Sequence, residues 1–409
     1  MKSQATAPSL KAVQAALRKI TEHFAKELAQ PSQTQPDWSD FEWHAARAVT
    51  AMHGVSSLLA TTLRWQGPAE WQTFLGEQRQ HTERRHQRIE ELLQQIDDST
   101  RAGGVAAIAL KGAALYSLGL YSAGQRPMAD IDLLVRKQDV EPTSRLLENL
   151  GYHATHTNWR HRSFSPADAA PRANLGEHAD NYLKIELHEQ ISEALPVRKA
   201  ALTHFLGSTQ PSPGLNPYPS NTALMAHLLL HAAGGMVTRS LRLLHLHDIV
   251  LLAGRMTQED WLALAQWHEN DHEPWWALPP LALAAHYYPG AIPTSALQTL
   301  ARYCPRRLSS IVRRARLTDV SLSNLWIEAL PGIGWSRSVG EATQYIINRI
   351  FPDREKVSQR KYLAGAEPGF SQSPWAHFSQ GTRVLRWLIS RPPRPSTMYA
   401  VRACLGSSV

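Results

Sequence analysis

The run Gly124-Gln125-Arg126-Pro127-Met128-Ala129-Asp130-Ile131-Asp132-Leu133-Leu134-Val135 constrains this chain more than any other stretch. Side chains of a β-strand alternate between its two faces. Asp130 and Asp132 therefore face one way, while Ile131, Leu133 and Val135 enter the opposite layer. Two carboxylates held a few ångströms apart repel each other unless a cation sits between them. Hard oxygen ligands with open positions suit Mg²⁺, or Mn²⁺, better than a softer metal. A lone D-x-D is more often a strand end with two solvated aspartates, so the neighbouring segments decide.

Upstream, Val105 to Leu110 reads as a buried strand, Lys111-Gly112 follows, and Ala113 to Leu118 begins a helix. A strand, a lysine-glycine pair and a helix start can turn backbone N–H groups and one ammonium toward a phosphate. By itself this signal is weak, because glycines between strand and helix are mostly plain turn residues. Downstream, Gln138 to Leu150 has helical spacing closed by Gly151, and Tyr152 to Thr157 suits a strand. Residues 158–180 read as a polar loop rich in histidine and arginine (Arg160, His161, Arg162, Arg172, His178). Tyr182 to His188 then alternates, with Leu183, Ile185 and Leu187 on one face and Tyr182, Lys184, Glu186 and His188 on the other. Half-exposed strands commonly look this way. After a D-x-D strand, though, Glu186 is the natural third carboxylate.

The flanks are helical. Leu10, Val13, Leu17 and Ile20 recur at helical spacing, and residues 77–96 form a long amphipathic helix with a solvated polar face. From about Ala200 helices return, separated by proline-rich breaks at Pro211 to Pro219 and Pro274 to Pro280. The expected division is a helical region at 1–98, a core at 99–200, a helical domain at 201–355 and an irregular tail at 356–409. His227, His231, His245 and His247 lie close in sequence, as a zinc site needs. Coincidence is favoured, since the chain has 19 histidines and no Glu beside the first of these. Asp248 is expected to cap or pair within the helical half, Arg242 being one candidate partner.

Composition narrows the class. Apolar residues make up 43% and charged ones 19% of 409 residues, which fits a globular chain of two or three units. No apolar run approaches the roughly 18–20 residues of a membrane span, and Met1 to Pro8 lacks a signal core. Two cysteines outside any C-x-x-C, Cys304 and Cys404, suit a reducing compartment, so the expectation is a cytoplasmic protein. The formal charge of +8 mildly favours a phosphate-bearing partner or nucleic acid.

Leu110-Lys111-Gly112-Ala113, then Gly124-x-Arg126-Pro127 leading into Asp130 to Val135, Gly151-Tyr152, and Ile185-Glu186-Leu187-His188 resemble the uncharacterised bacterial nucleotidyltransferase-like family of the DNA polymerase β superfold. His231, Leu241-Arg242-x-Leu244, Asp248 and Phe351-Pro352-Asp353 resemble its helical half, so the likeness spans roughly residues 100 to 355. It implies an α+β fold with a mixed sheet. It also implies transfer of an NMP from NTP, ATP first, with release of pyrophosphate. Asp130 and Asp132 would hold two Mg²⁺ ions, and Glu186 would complete the metal shell or take the acceptor's proton. Lys111, Gly112 and Arg126 would contact the nucleotide, Arg126 alternatively fixing the aspartate loop through ion pairs, and His188 would position rather than ligate. The acceptor would be a small molecule or a peptide or protein side chain. An RNA end, as in a tRNA-modifying toxin, ranks second, and a non-catalytic nucleotide- or partner-binding protein is the different class of answer. The chain departs from the superfold where Lys111-Gly112-Ala113 replaces Gly-Ser or Gly-Gly, and in the 18 positions from Gly112 to Asp130.

Overall fold

Helix α1 (Leu10–Ala29) begins where the Ser9 hydroxyl accepts the Ala12 N–H at 3.2 Å, and α2 (Asp40–His53) begins at a reciprocal capping box of Ser39 and Glu42. The structure, a computed structural model, describes residues 8–405 apart from 159, 168, 170–174, 207–210, 268–272, 355–356 and 359–372. Helices α3 (Ser56–Thr62) and α4 (Ala69–Ala102) follow. Helix α4 runs across the division expected at residue 98.

The central elements are β1 (Ala106–Ala109), α5 (Gly112–Ser117), β2 (Asp130–Val135), α6 (Val140–Asn149), β3 (Tyr152–Thr157), β4 (His161–Pro166), β5 (Lys184–His188), the hairpin β6 (Ser192–Leu195) and β7 (Arg198–Ala201), α7 (Thr203–Leu206) and β8 (Gly214–Asn216). Six of these strands form one mixed sheet in the order β3-β4-β5-β2-β1-β8. Strands β2 and β5 run parallel, as do β1 and β8, and the remaining neighbours are antiparallel. The fold is α+β. Strand β4 lies inside the segment expected to be a loop. Phe164, fully buried, anchors it, but the polar residues around Phe164 hide a strand from any hydropathy reading. Strand β8 likewise sits within the first proline-rich break.

Two cores follow from the alternation in β2 and β5. Ile131, Leu133, Val135, Ile185 and Leu187 pack with Phe164, with Ile89, Leu92 and Ile96 of α4, and with Leu147 of α6. Ile108, Leu110 and Leu134 join a larger core built from the N-terminal helices together with α8 (Asn221–Thr238) and α9 (Leu243–Ala253). The carboxylate strands therefore lie at the seam between sheet and helices. Helices preceding the sheet and helices following it share one core. In the tail expected to be irregular, Pro374–His377, Gln380–Ile389 and Pro395–Leu405 are helical, and the last packs against α2. Residues 359–372 of that tail lie outside the described residues.

A buried histidine joins the distant helical parts. His53 Nδ1 accepts the Leu243 N–H at 3.0 Å, so its Nε2 carries the proton and donates to Ser323 Oγ at 2.9 Å; Thr21 meets the same hydroxyl at 2.6 Å. Burial, then Arg242, pushes its pKa down to about 3. Burial also holds His227, His231 and His245 well below their ordinary value. The unfolded chain takes these protons near pH 6.5 and the folded chain does not, so stability falls as pH drops from about 6.5 toward 3. Urea midpoints should fall between pH 7 and 4. His53→Gln should flatten that decline by up to about 1.4 kcal/mol per pH unit; an unchanged slope would remove His53 from the account.

Candidate active site

Each carboxylate owes its place to strand register. Asp132 pairs with Glu186 across β2 and β5, Asp130 with Lys184, and Leu134 with His188. On the far side of β5, Ser163 pairs with Glu186 and His161 with His188. Lateral neighbours in a sheet share a face, so Asp130, Asp132, Lys184, Glu186, His188 and His161 converge on one surface. Arg85 of α4 pins the approach to both strands. Its guanidinium donates to the Met128 carbonyl at 3.0 Å and the Asn181 carbonyl at 2.7 Å, and lies 2.8 Å from Glu177.

Asp132 is the hub and is only 5% exposed. Lys111 Nζ lies 2.9 Å from its Oδ2, and His188 Nε2 lies 2.9 Å from its Oδ1. Burial alone would raise its pKa, but Lys111 and His188 outweigh that and hold it well below the usual carboxylate range. Asp130 behaves oppositely. Burial, then the charges of Asp132 and Glu186, pushes its pKa up to about 6, and its side chain has no hydrogen bond among the described residues. Glu186 is ion-paired with Lys184, and His161 Nδ1 stands 3.5 Å from its other oxygen. Burial pushes the His161 imidazole down to about 4, so it is neutral at pH 7.

The Lys111-Gly112 turn has a different construction from a bare phosphate loop. Lys111 holds a positive φ of 48°, which non-glycine residues rarely adopt. Its N–H donates to the Tyr218 hydroxyl at 3.2 Å, and that hydroxyl meets His227 Nδ1 at 2.8 Å. Gly112 is needed for a packing reason. A Cβ there would collide with the Arg126 guanidinium and stand 2.6 Å from Met128 Sδ. Arg126 itself is buried and clamps Asp248 of α9 through two bonds of 2.9 and 2.8 Å. The ion pair ties the segment that leads into Asp130 to α9. Asp248 thus pairs with Arg126 and accepts from the Tyr121 hydroxyl at 2.6 Å, where Arg242 had been a candidate partner.

Beside Glu186 lies a cavity of about 120 Å³ between the sheet and α8, lined also by Lys111, His188, Arg160, Glu193 and His231 among others. Arg160 and Glu193 form an ion pair at 2.6 Å along it. His161, Arg160 and Glu193 were not singled out by sequence reasoning. Only the histidine and arginine richness of 158–180 hinted at the first two, nothing hinted at Glu193, and Arg172 of that stretch lies outside the described residues. Among the described residues, His161, Glu186 and His188 form the group able to bring one ligand atom each within 4.8 Å of the others. The four histidines weighed as a zinc site do not gather this way. His227 bonds to Tyr218, His247 to Tyr288 at 3.2 Å, and the His231 and His245 rings meet edge to face.

The family model described as "Uncharacterised nucleotidyltransferase" matches residues 39–270, more than half of the chain. The chain belongs to this family. No curated protein and no solved structure matches it. As a nucleotidyltransferase-family protein it is a transferase whose nucleotide partner follows from the family. Among the described residues no helix is long and apolar enough to cross a membrane. Three carboxylates sharing one face are the oxygen donors a hard divalent cation takes, and Asp130, pushed up to about 6, has no hydrogen bond among the described residues and meets Lys111 and Lys184 only through space.

Proposed function

We propose that the protein is a Mg²⁺-dependent nucleotidyltransferase that moves an NMP, AMP in the first instance, from NTP to a hydroxyl or phosphate oxygen of a small-molecule or peptide or protein acceptor. The supporting observation is that Asp130, Asp132 and Glu186 share one sheet face, Asp132 in register with Glu186, with a cavity beside Glu186. In the reaction an acceptor oxygen forms a bond to the α-phosphorus as the bond from that phosphorus to the β-phosphate oxygen breaks. Pyrophosphate leaves with the electron pair, and the acceptor's proton passes to a base. A bound divalent cation supplies charge neutralisation at the phosphates. Glu186, facing the neutral His161, is the base. His188 orients Asp132, and Arg85 and Arg126 hold the backbone that carries Asp130. Lys111 keeps a positive charge at the phosphate side of the site. The cavity beside Glu186 is the proposed seat of the acceptor's reacting group.

Thermal unfolding with each NTP, with and without Mg²⁺, tests this reading. One NTP should stabilise the chain only with Mg²⁺, by about 2.7 kcal/mol at 100 times its dissociation constant. Stabilisation by no NTP in protein that melts cooperatively would favour a binding protein that retains the fold.

A further inference from the structure

We propose that Lys111 and Lys184 stand in for one of the two divalent ions implied by the resemblance, so that this site works with a single divalent ion. This rests on the nucleotidyltransferase reading above. Two of the three carboxylates already carry a cation: Lys111 lies 2.9 Å from Asp132 Oδ2, and Lys184 is ion-paired with Glu186 Oε1. An ammonium at that distance and a divalent ion cannot share one carboxylate oxygen, because like charges at contact repel strongly in a dry site.

Lys111 is a built feature of the site. Its side chain is only 20% exposed. Its backbone sits in a conformation that costs a non-glycine residue on the order of 1–3 kcal/mol, and the Tyr218 hydroxyl, itself bonded to His227, holds it there. That anchoring aims the ammonium at Asp132. Asp130, by contrast, has no hydrogen bond or ion pair among the described residues and feels Lys111 and Lys184 only through space, so its oxygens are the ones left to a metal.

Charge balance agrees. Three carboxylates, two divalent ions and an NTP of charge −4 sum to −3. Three carboxylates, two lysines, one divalent ion and the same NTP also sum to −3. Two lysines thus match one divalent ion in formal charge. A second ion added to the lysines would leave the site at −1, two units more positive than either arrangement.

Equilibrium dialysis of the full chain against Mn²⁺ and a non-hydrolysable ATP analogue, with both bound species counted, tests the proposal without relying on turnover. The wild type should bind one Mn²⁺ per bound nucleotide. Lys111→Ala combined with Lys184→Ala should bind two, and Lys111→Ala alone should raise the count if the double variant fails to fold. Two Mn²⁺ per nucleotide in the wild type would overturn the proposal, as would a count of one that no lysine substitution changes. Absence of any Mn²⁺-dependent nucleotide binding by folded wild type would instead strike the nucleotidyltransferase reading, on which the proposal depends.

Discussion

In metal-free buffer at pH 7, Asp130→Asn should melt above the wild type, and with Mg²⁺ and NTP it should fail to turn over. Burial and two neighbouring carboxylates push Asp130 up to about 6. Keeping it ionised at pH 7 therefore costs folding free energy. A raised carboxyl pKa means that the folded chain holds its proton more tightly than the unfolded one. The penalty grows as pH rises from about 4 to 6 and is constant above that. Asparagine removes it and should return about 1 to 3 kcal/mol above pH 6 and nothing near pH 4. Loss of the carboxylate should lower transfer by at least on the order of 10²–10³, the range for removing one preorganised electrostatic group. Asp132→Asn should contrast with this. An amide carries no charge to hold the Lys111 ammonium and puts an NH₂ donor where one acceptor oxygen stood, so that variant should lose stability together with activity. If Asp130→Asn were destabilised as far as Asp132→Asn, or kept turning over, Asp130 would not have the role proposed for it.

Arg126→Ala should cost about 3–5 kcal/mol of stability, because it strands the Asp248 carboxylate, 1% exposed, without its cation. Arg126→Lys should recover little, since a single ammonium cannot reproduce two parallel bonds. Arg126→Met with Asp248→Leu should recover most of the loss, less about 1 kcal/mol for the Tyr121 hydroxyl left without its acceptor. Urea titrations of the wild type, Arg126→Met, Asp248→Leu and the double variant give the coupling energy directly. The double variant also separates the two roles considered for Arg126. If it folds and still binds NTP with unchanged affinity, the arginine serves the loop. If it folds and loses NTP affinity, the arginine reaches the nucleotide.

Both predictions turn on residues of the same short run, and they differ in how legible they were. Period-two alternation is local, so the shared face of Asp130 and Asp132, and that of Glu186 and His188, could be read from the letters alone. Strand β4 could not. Its one buried apolar residue, Phe164, sits between two buried serines, Ser163 and Ser165, and hydropathy cannot mark such a strand. His161 was invisible for the same reason, because only pairing with β5 sets it opposite His188. Gly112 was legible as a tight place but not for the right neighbour. The atom it makes room for belongs to Arg126, fourteen positions on.

Sequence by itself determined the alternating strands, the helical flanks and the family, because each depends on patterns a few residues long or on motifs in fixed order. Tertiary structure alone decided which charges meet: Lys111 with Asp132, and Arg126 with Asp248, 122 positions away. It also decided that the first helices share a core with the last. Such contacts depend on the chain's path through space, and a buried charge accepts whichever partner that path brings within about 3 Å, since leaving it alone costs more than any local preference can offset.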